Sequence, residues 1–422
     1  MKYTVKEVLQ FIEGNDVKFV KLVFFDIFGI KKVVSIMAEG LRSAFEYGVP
    51  ISADSVCGFN DAGNTELLLF PDPCTLKILT WRSQQGSVVQ MLCDIRMQNG
   101  DPFDGDVRSV LKKAVQKAKT SGLNFLVGTG CEFYLFRTDE NGFPTRIPYD
   151  RAGHLDAAPL DKGENVRRQI CLTLEEMEIT PVSSYHEAGP GQNRIDLRLS
   201  GAINAVDDFY TFKSAVKACA GLNGLYASFL PGPLKDENRN SMSVYIMLRE
   251  MNDNLLADRG IGINKKAECF INGIRRRLCE MTAFMKSVSN SYMSSGNNDG
   301  DEDAQISKAS VPVRITRPQS EMARLEISCA DPSCNLYLAL ALLMFAGLEG
   351  IEKNTDDLCT DESFPDSLGE ALDKAAQSSF VSSNLPAVIY ENYIGLKKEE
   401  MKKEQLDSEA VKLHENRYFE II

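Results

Sequence analysis

The stretch VKFVKLVFFDIFGIKKVVSI, residues 17–36, constrains the fold more than any other. Two runs rich in Val, Phe and Ile flank a Gly-containing turn at Asp26–Gly29, the pattern of a β-hairpin. TVKEVLQFIEG before it is a capped helix ending at Gly14. TELLLFPDPCTLKILTW and SVVQMLCDIR after it supply further strands bounded by prolines. Residues 1–97 are thus expected to form a small α+β unit whose Val and Phe side chains make a core.

The pattern changes after NGDPFDGDVRSVLKKAVQKAKTSG. Asp104–Ser121 has helical spacing, a cationic last turn and a Gly stop, which places a domain boundary at Met97–Asp104. Residues 104–422 then read as one larger α+β domain. It runs through a strand in NFLVGTGCEFYLF, a Gly/Pro-rich loop, a helix in KGENVRRQICLTLEEME, and the turn-to-strand segment YHEAGPGQNRIDLRL. A helix in AVDDFYTFKSAVKACAGLNG and strands in YASFL and SMSVYIML follow. NSYMSSGNNDGDEDAQIS, residues 290–307, reads as a long mobile loop. NLYLALALLMFAGLEGI reads as a buried helix, and LKKEEMKKEQLDSEAVKLHENRYFEII as a charged surface helix whose last turns dock.

Of the 422 residues, 44% are apolar and 25% charged, with a formal net charge of −12. That is an ordinary folded composition, and its acidity argues against nucleic acid or an anionic membrane as partner. No run of about 18 apolar residues occurs, and Met1–Gly14 mixes Lys and Glu into an amphipathic pattern, so neither a membrane span nor a signal peptide is expected. The 11 cysteines are dispersed without a CxxC pair, which points to reduced thiols in a cytoplasmic setting. His154, His186 and His414 are the whole histidine inventory, too few for chemistry built on several imidazoles.

Three acids sit in strand-like apolar contexts: Glu132 in CEFYLF, Glu187 in YHEAG and Glu326 in ARLEISC. Carboxylates converging from strands of one sheet suit a hard divalent cation, whereas the same acids are also ordinary salt-bridge partners for arginine. Arg314 and Arg324 fit either reading, as holders of phosphate or carboxylate oxygens or as partners of those acids.

The order of these motifs resembles the glutamine synthetase family over essentially the whole chain. FVKLVFFDIFGIKKVVSI, LLLFPDPCT, LCDI, CEFYLF, APLDKGENVRRQICLTLEEM, HEAGPGQNRIDLR, SFLPGPL, NSY and RLEISCADPSCNLYLALALL carry the resemblance. It is most similar to the shorter bacterial form and lacks an obvious tyrosine motif for adenylylation. The resemblance implies an N-terminal β-grasp domain and a C-terminal catalytic-type domain whose antiparallel sheet forms a funnel flanked by helices. It also implies a dodecameric or decameric homo-oligomer and an ATP-dependent carboxylate–ammonia or carboxylate–amine ligase lineage. Phosphoryl transfer there depends on Mg²⁺ or Mn²⁺.

Matched position by position, Glu132 and Glu187 fall on ligands of one family metal site and Glu326 on a ligand of the second. Arg314 and Arg324 fall on family arginines near phosphate and nucleotide. Gln192 and Asn193 lie in the glutamine-containing turn, and Ser243 stands at the family's metal-binding histidine. Other family positions are replaced. The first acid of the Glu-x-Glu strand is Gly130, the third carboxylate of the first metal is Arg194, the substrate arginine is Ser294, and two further arginines are Ala309 and Ser328. The ammonium-site aspartate aligns with Ser52, with Asp54 close by. Losing several preorganised charged groups, each worth about 10²–10³ in rate, makes ordinary glutamine synthesis doubtful. The alternative is a non-catalytic oligomer that binds a nucleotide or metabolite or regulates a partner enzyme; ATP and Mg²⁺ or Mn²⁺ are expected if the family site is retained, and no cofactor if it is not. Arg194 is expected to place its guanidinium between Glu132 and Glu187, supplying the charge a metal supplied.

Overall fold

The computed structural model describes residues 3–59, 66–81, 86–258, 260, 262–293, 312–317, 319–356, 363–406 and 416–422. The first helix, Val5–Gly14, starts on a capping box. Thr4 Oγ1 accepts from Glu7 N–H at 3.3 Å, and the Glu7 carboxylate accepts from Thr4 N–H at 2.7 Å. Strands β1 (Val17–Phe25) and β2 (Lys31–Met37) form the expected antiparallel hairpin. Its turn is braced by Asp26 Oδ1, which accepts from Phe28 and Ile30 N–H at 3.0 and 2.9 Å, with Gly29 at φ +78°. β3 (Val49–Ser52), β4 (Glu66–Pro71), β5 (Lys77–Ile78) and β6 (Ser87–Met97) complete a six-stranded mixed sheet. Its order is β2-β1-β6-β4-β3, with β1 and β6 parallel and β5 on β6.

The hairpin tip is pressed into the larger domain. A Cβ at Gly29 would lie 2.6 Å from Tyr210 Oη, and Asn335 Nδ2 donates to Ile27 O at 3.0 Å. Phe25, Tyr210 and Tyr337 stack beside it, with Phe25 and Tyr210 centroids 4.2 Å apart. Buried Arg108 ties three elements together, reaching Asp72 at 2.9 Å and Asp94 and Asp207 at 2.8 Å.

The second sheet has ten strands, all paired antiparallel. They are β7 (Leu123–Thr138), β8 (Pro144–Pro148), β9 (Pro181–His186), β10 (Gln192–Leu197), β11 (Ser200–Gly201), β12 (Leu225–Ser228), β13 (Met242–Glu250), β14 (Asp253–Asn254), β15 (Val313–Thr316) and β16 (Arg324–Ala330). The main path runs β15-β16-β13-β7-β10-β9, so the long β7 is the spine. One face packs on helices Val107–Thr120, Glu164–Glu176, Ala202–Leu222 and Lys265–Met285, and Leu336–Glu352 packs behind Val107–Thr120 and Lys265–Met285.

Lys265–Met285 is a helix that the sequence reading passes over, although Ala267, Phe270, Ile271, Ile274, Leu278 and Met281 recur at helical spacing and are all buried. Leu336–Glu352 is buried nearly throughout, as its composition requires. The charged C-terminal helix spans Ala387–Leu406, and residues 416–421 form a short docked helix. Of the loop expected over 290–307, only the first residues are described, in a short 3-10 turn at Ser289–Tyr292; residues 294–311 lie outside the described part. None of the described cysteines is in a disulfide. Among described residues, no helix is long and apolar enough to cross a membrane.

Candidate functional site

Strand register assembles the site. On β10, Gln192, Arg194 and Asp196 share one face because side chains alternate. Arg194 stands opposite Glu132 of β7 on one side and Tyr185 of β9 on the other, while Asp196 stands opposite Gly130. Across β7, Ser243 of β13 opposes Gly130, and Glu326 of β16 is brought in opposite Tyr245 and Arg314. Residues far apart in sequence thus meet on one face of the sheet.

Arg194 is the hub and is buried, with 7% exposure. Its Nη1 donates to Glu132 Oε1, its Nε to Asp196 Oδ1, and its Nη2 to Ser243 Oγ and Tyr245 Oη, each at 3.1 Å. Burial opposes the charge on Arg194, but Asp196 and Glu132 more than offset it and hold the guanidinium more firmly protonated than a free arginine. The space that the guanidinium fills belongs to position 130. A Cβ built on Gly130 would sit 2.3 Å from Arg194 Nη2 and 1.9 Å from Asp196 Oδ1.

Glu132 is saturated with donors. Besides Arg194, it accepts from Ser241 N–H at 2.8 Å, Ser241 Oγ at 2.6 Å and Gln192 Nε2 at 3.1 Å. Burial and the nearby Glu187 charge nonetheless lift its carboxyl to about 7, against the pull of Arg194 and Ser241. Ser243 carries the chain onward by donating to Glu326 Oε1 at 3.2 Å, and Arg314 grips Glu326 Oε2 through Nε at 3.0 Å and Nη2 at 2.9 Å. Arg324 stacks over Tyr245 at 3.8 Å, and its Nε is a buried donor with no hydrogen-bond partner among described residues.

The expectation that Arg194 bridges Glu132 and Glu187 is half met. The guanidinium takes Glu132, but its other arm goes to Asp196, two residues along the same strand face. Glu187 lies beyond the end of β9 and pairs with His154 at 3.1 Å. Burial raises the Glu187 pKa, opposed by Arg194 and His154.

Asn193 is a second correction. Alternation turns it to the opposite face of β10, where its Oδ1 accepts from Arg167 Nη1 at 2.6 Å and its Nδ2 donates to Gly191 O at 2.8 Å. Gln192 does reach the site, bracing the turn by accepting from Gly189 N–H at 3.0 Å. Ser52 and Asp54 are exposed at the edge of the small sheet, apart from this cluster, and Ser328 is exposed on β16. Ser294 and Ala309 lie outside the described residues. Asp196, Tyr245, Ser241 and His154 are site residues that the sequence reading misses. Only Asp196 had a local signal, the i+2 spacing from Arg194.

A second polar cluster lies beneath the strand. Asp150, Asp161 and His186 bring their ligand atoms within 4.8 Å of one another, a spacing a metal ion could use. Their charges are already matched. Asp161 is clasped by Arg167, with Nη1 at 3.0 Å and Nη2 at 2.5 Å. His186 Nδ1 faces the Glu187 carbonyl at 2.6 Å and Nε2 faces Asp150 Oδ1 at 2.9 Å. Burial lowers the His186 pKa, yet the bonds to Asp150 and to that carbonyl carry it above 6.5. With both ring nitrogens already engaged by oxygens, His186 is poorly placed to ligate a metal.

Comparison with known proteins fits this architecture. The family described as glutamine synthetase, catalytic domain, matches residues 104–416, and the one described as glutamine synthetase, beta-Grasp domain, matches residues 16–98. The chain belongs to the glutamine synthetase family. It is 35% identical over 415 residues to a glutamine synthetase of Clostridium saccharobutylicum, covering 93% of this chain and 94% of that one. It is 36% identical over 423 residues to one of Methanosarcina mazei, covering 94% of each. Among solved structures, a GmaS/ADP complex superposes with TM-score 0.85 at 22% identity over 96% of this chain and 97% of that one. A Plasmodium falciparum glutamine synthetase superposes with TM-score 0.83 at 18% identity, over 95% and 96% of the two chains. This glutamine synthetase-family chain therefore has the β-grasp domain and the antiparallel-sheet domain that its motifs implied.

Proposed function

We propose that this protein is a glutamine synthetase-family chain that no longer performs metal-assisted glutamine synthesis and keeps its funnel as a binding site for a nucleotide or small metabolite. The reading rests on one observation. The Arg194 guanidinium occupies the centre of the carboxylate cluster, bonded to Glu132, Asp196, Ser243 and Tyr245, in the space a side chain at position 130 would need. The donor set does not fit the family's Mg²⁺ or Mn²⁺ ions. A divalent cation next to a buried guanidinium meets a like charge, and Glu132 and Glu326 already spend their oxygens on Arg194, Ser241, Ser243 and Arg314.

What remains is suited to holding an anion. Arg314 keeps 63% of its side chain exposed, and Arg324 presents an unpaired buried donor. Gln192 and Ser243 serve the internal network, and Glu187 with His154 closes one side. ATP is thus proposed as a ligand, not as a phosphoryl donor. A homo-oligomeric ring and a cytoplasmic location belong to the same proposal, supported by family membership and by free cysteines.

The test is direct. Purified protein is incubated with ATP, Mg²⁺ or Mn²⁺, glutamate or related acids, and ammonia or amines, while phosphate is followed. No release dependent on both acid and amine is expected. Release requiring both would overturn the proposal.

A further inference from the structure

Away from the funnel, the junction of the two domains holds a cavity of about 530 Å³, within the range of small-molecule sites at domain interfaces. Its walls are the hairpin tip that ends β1 and begins β2, the helix Ala202–Leu222, the helix Ala387–Leu406 and the C-terminal residues. The lining is strongly cationic. Its acids, Asp26, Glu399 and Glu400, are outnumbered by lysines and Arg417.

Two of those acids are already used, Asp26 by Lys32 at 3.4 Å and Glu400 by Lys397 at 3.2 Å. Glu399 is exposed at the rim. Three lysines deeper in have only neutral acceptors among described residues. Lys31 Nζ donates to Gln90 Oε1 and Ser214 Oγ, both at 3.1 Å, Lys213 to the Pro332 carbonyl at 2.8 Å, and Lys217 to the Ile421 carbonyl at 2.7 Å. Lys213 and Lys217 are four residues apart on one helix, a spacing at which like charges repel.

This arrangement costs the fold stability. Burial, aided by neighbouring Lys21, holds Lys31 down at about 8, and burial with Lys213 beside it holds Lys217 at about 7. Buried charges are normally paired; Asp331 acts on Lys213 only at a distance, and a wall of ammonium groups none of which hydrogen-bonds a carboxylate among described residues is a site awaiting one. Phe28, Tyr210, Val288 and Leu396 give the same cavity an apolar side, so the missing partner has an organic body as well as charge.

We infer that this interdomain cavity binds a small organic polyanion, carrying at least two phosphate or carboxylate groups, through Lys31, Lys213 and Lys217. The ligand fixes the hairpin of the small domain to the helix Ala202–Leu222 of the large one. The site is separate from the funnel, and the inference does not depend on whether the funnel is catalytic.

Isothermal titration calorimetry of the full-length protein at low ionic strength, with citrate, ADP and pyrophosphate as probes, tests it. At least one probe should bind with submillimolar Kd, citrate marking a carboxylate ligand and ADP or pyrophosphate a phosphate ligand. The Lys31→Gln/Lys217→Gln variant should weaken binding about tenfold or more, while its melting temperature without ligand stays at or above wild type because repulsion is relieved. If that variant does not fold, Lys403→Glu/Arg417→Glu at the rim takes its place, and the expected result is weaker binding with a shallower salt dependence. Absence of binding by all three probes overturns the inference. So does binding that is unchanged in both lysine-site variants, or that is abolished only by Arg314→Gln in the funnel.

Discussion

Gly130 and Arg194 should behave as one unit, and a double-mutant cycle measures this. Gly130 has no left-handed backbone requirement, so alanine on this strand should by itself stabilise by about 0.5–1 kcal/mol. In the native protein the added methyl meets Arg194 Nη2 at 2.3 Å and Asp196 Oδ1 at 1.9 Å. The guanidinium must withdraw, giving up its Nη2 bonds to Ser243 and Tyr245. Two bonds from a charged donor at roughly 1.5 kcal/mol each total about 3 kcal/mol, so Gly130→Ala should destabilise by about 2 kcal/mol net. For a chain of this length that is a drop of roughly 2 °C in Tm, since unfolding entropy scales with size. In an Arg194→Met background the obstacle is gone and Asp196 has lost the partner that holds it in place, so the same Gly130→Ala change should be neutral or slightly stabilising. The coupling is therefore about 2–3 kcal/mol. Differential scanning fluorimetry of the four proteins at one scan rate reads it out. Equal Tm changes for Gly130→Ala in both backgrounds would refute the idea that the guanidinium occupies that space.

Arg194→Met alone should cost about 3–5 kcal/mol at pH 8 by stranding Glu132. Glu132 is held at about 7, above its ordinary 4.5, so its share of stability is complete below pH 4.5 and lost as pH rises through 7. Without Arg194 that value moves higher still, so the Tm gap between variant and wild type should widen from pH 5 to pH 8; a gap constant with pH would count against it. His186→Ala should lower Tm by about 3–5 °C at pH 6, through loss of the buried pair with Asp150. Because the folded His186 pKa is raised, its contribution is full below pH 6.5 and fades as pH rises through the folded value, so the deficit should shrink in alkali. Replacing Arg194 with Glu, Gly130 with Glu and Ser243 with His together should create Mn²⁺ binding in a calorimetric titration where wild type gives none; equal heats from both would sink the reading of the cluster. Asn335→Ala removes a helix cap on Tyr337 N–H and a bond to Ile27 O, and should lower Tm by roughly 1–2 °C.

Local signals carried a good part of the fold. Alternation and the Asp26–Gly29 turn make the hairpin legible, the capped pattern TVKEVLQFIEG marks the first helix, and the apolar run at 336–352 requires a buried one. Lys265–Met285 is hard to read locally because Arg275, Arg276 and Arg277 interrupt its apolar run; the buried Ile274 and Leu278 on either side keep the helical spacing.

For the site, sequence alone determined which chemical groups exist and which strand face each takes. Motif order named Glu132, Glu187 and Glu326 together, and alternation aimed Arg194 at them. Only tertiary structure decided who pairs with whom. Register puts Asp196 and Ser243 opposite Gly130, which gives Arg194 a second acid and a hydroxyl in place of Glu187. It also joins Glu132 to Glu326 through Arg194 and Ser243. The physical reason is that an ion pair depends on distances of about 3 Å between side chains. In a sheet those distances are set by strands that lie far along the chain, 62 residues between Arg194 and Glu132 and 83 between Ser243 and Glu326, whose register local sequence does not encode.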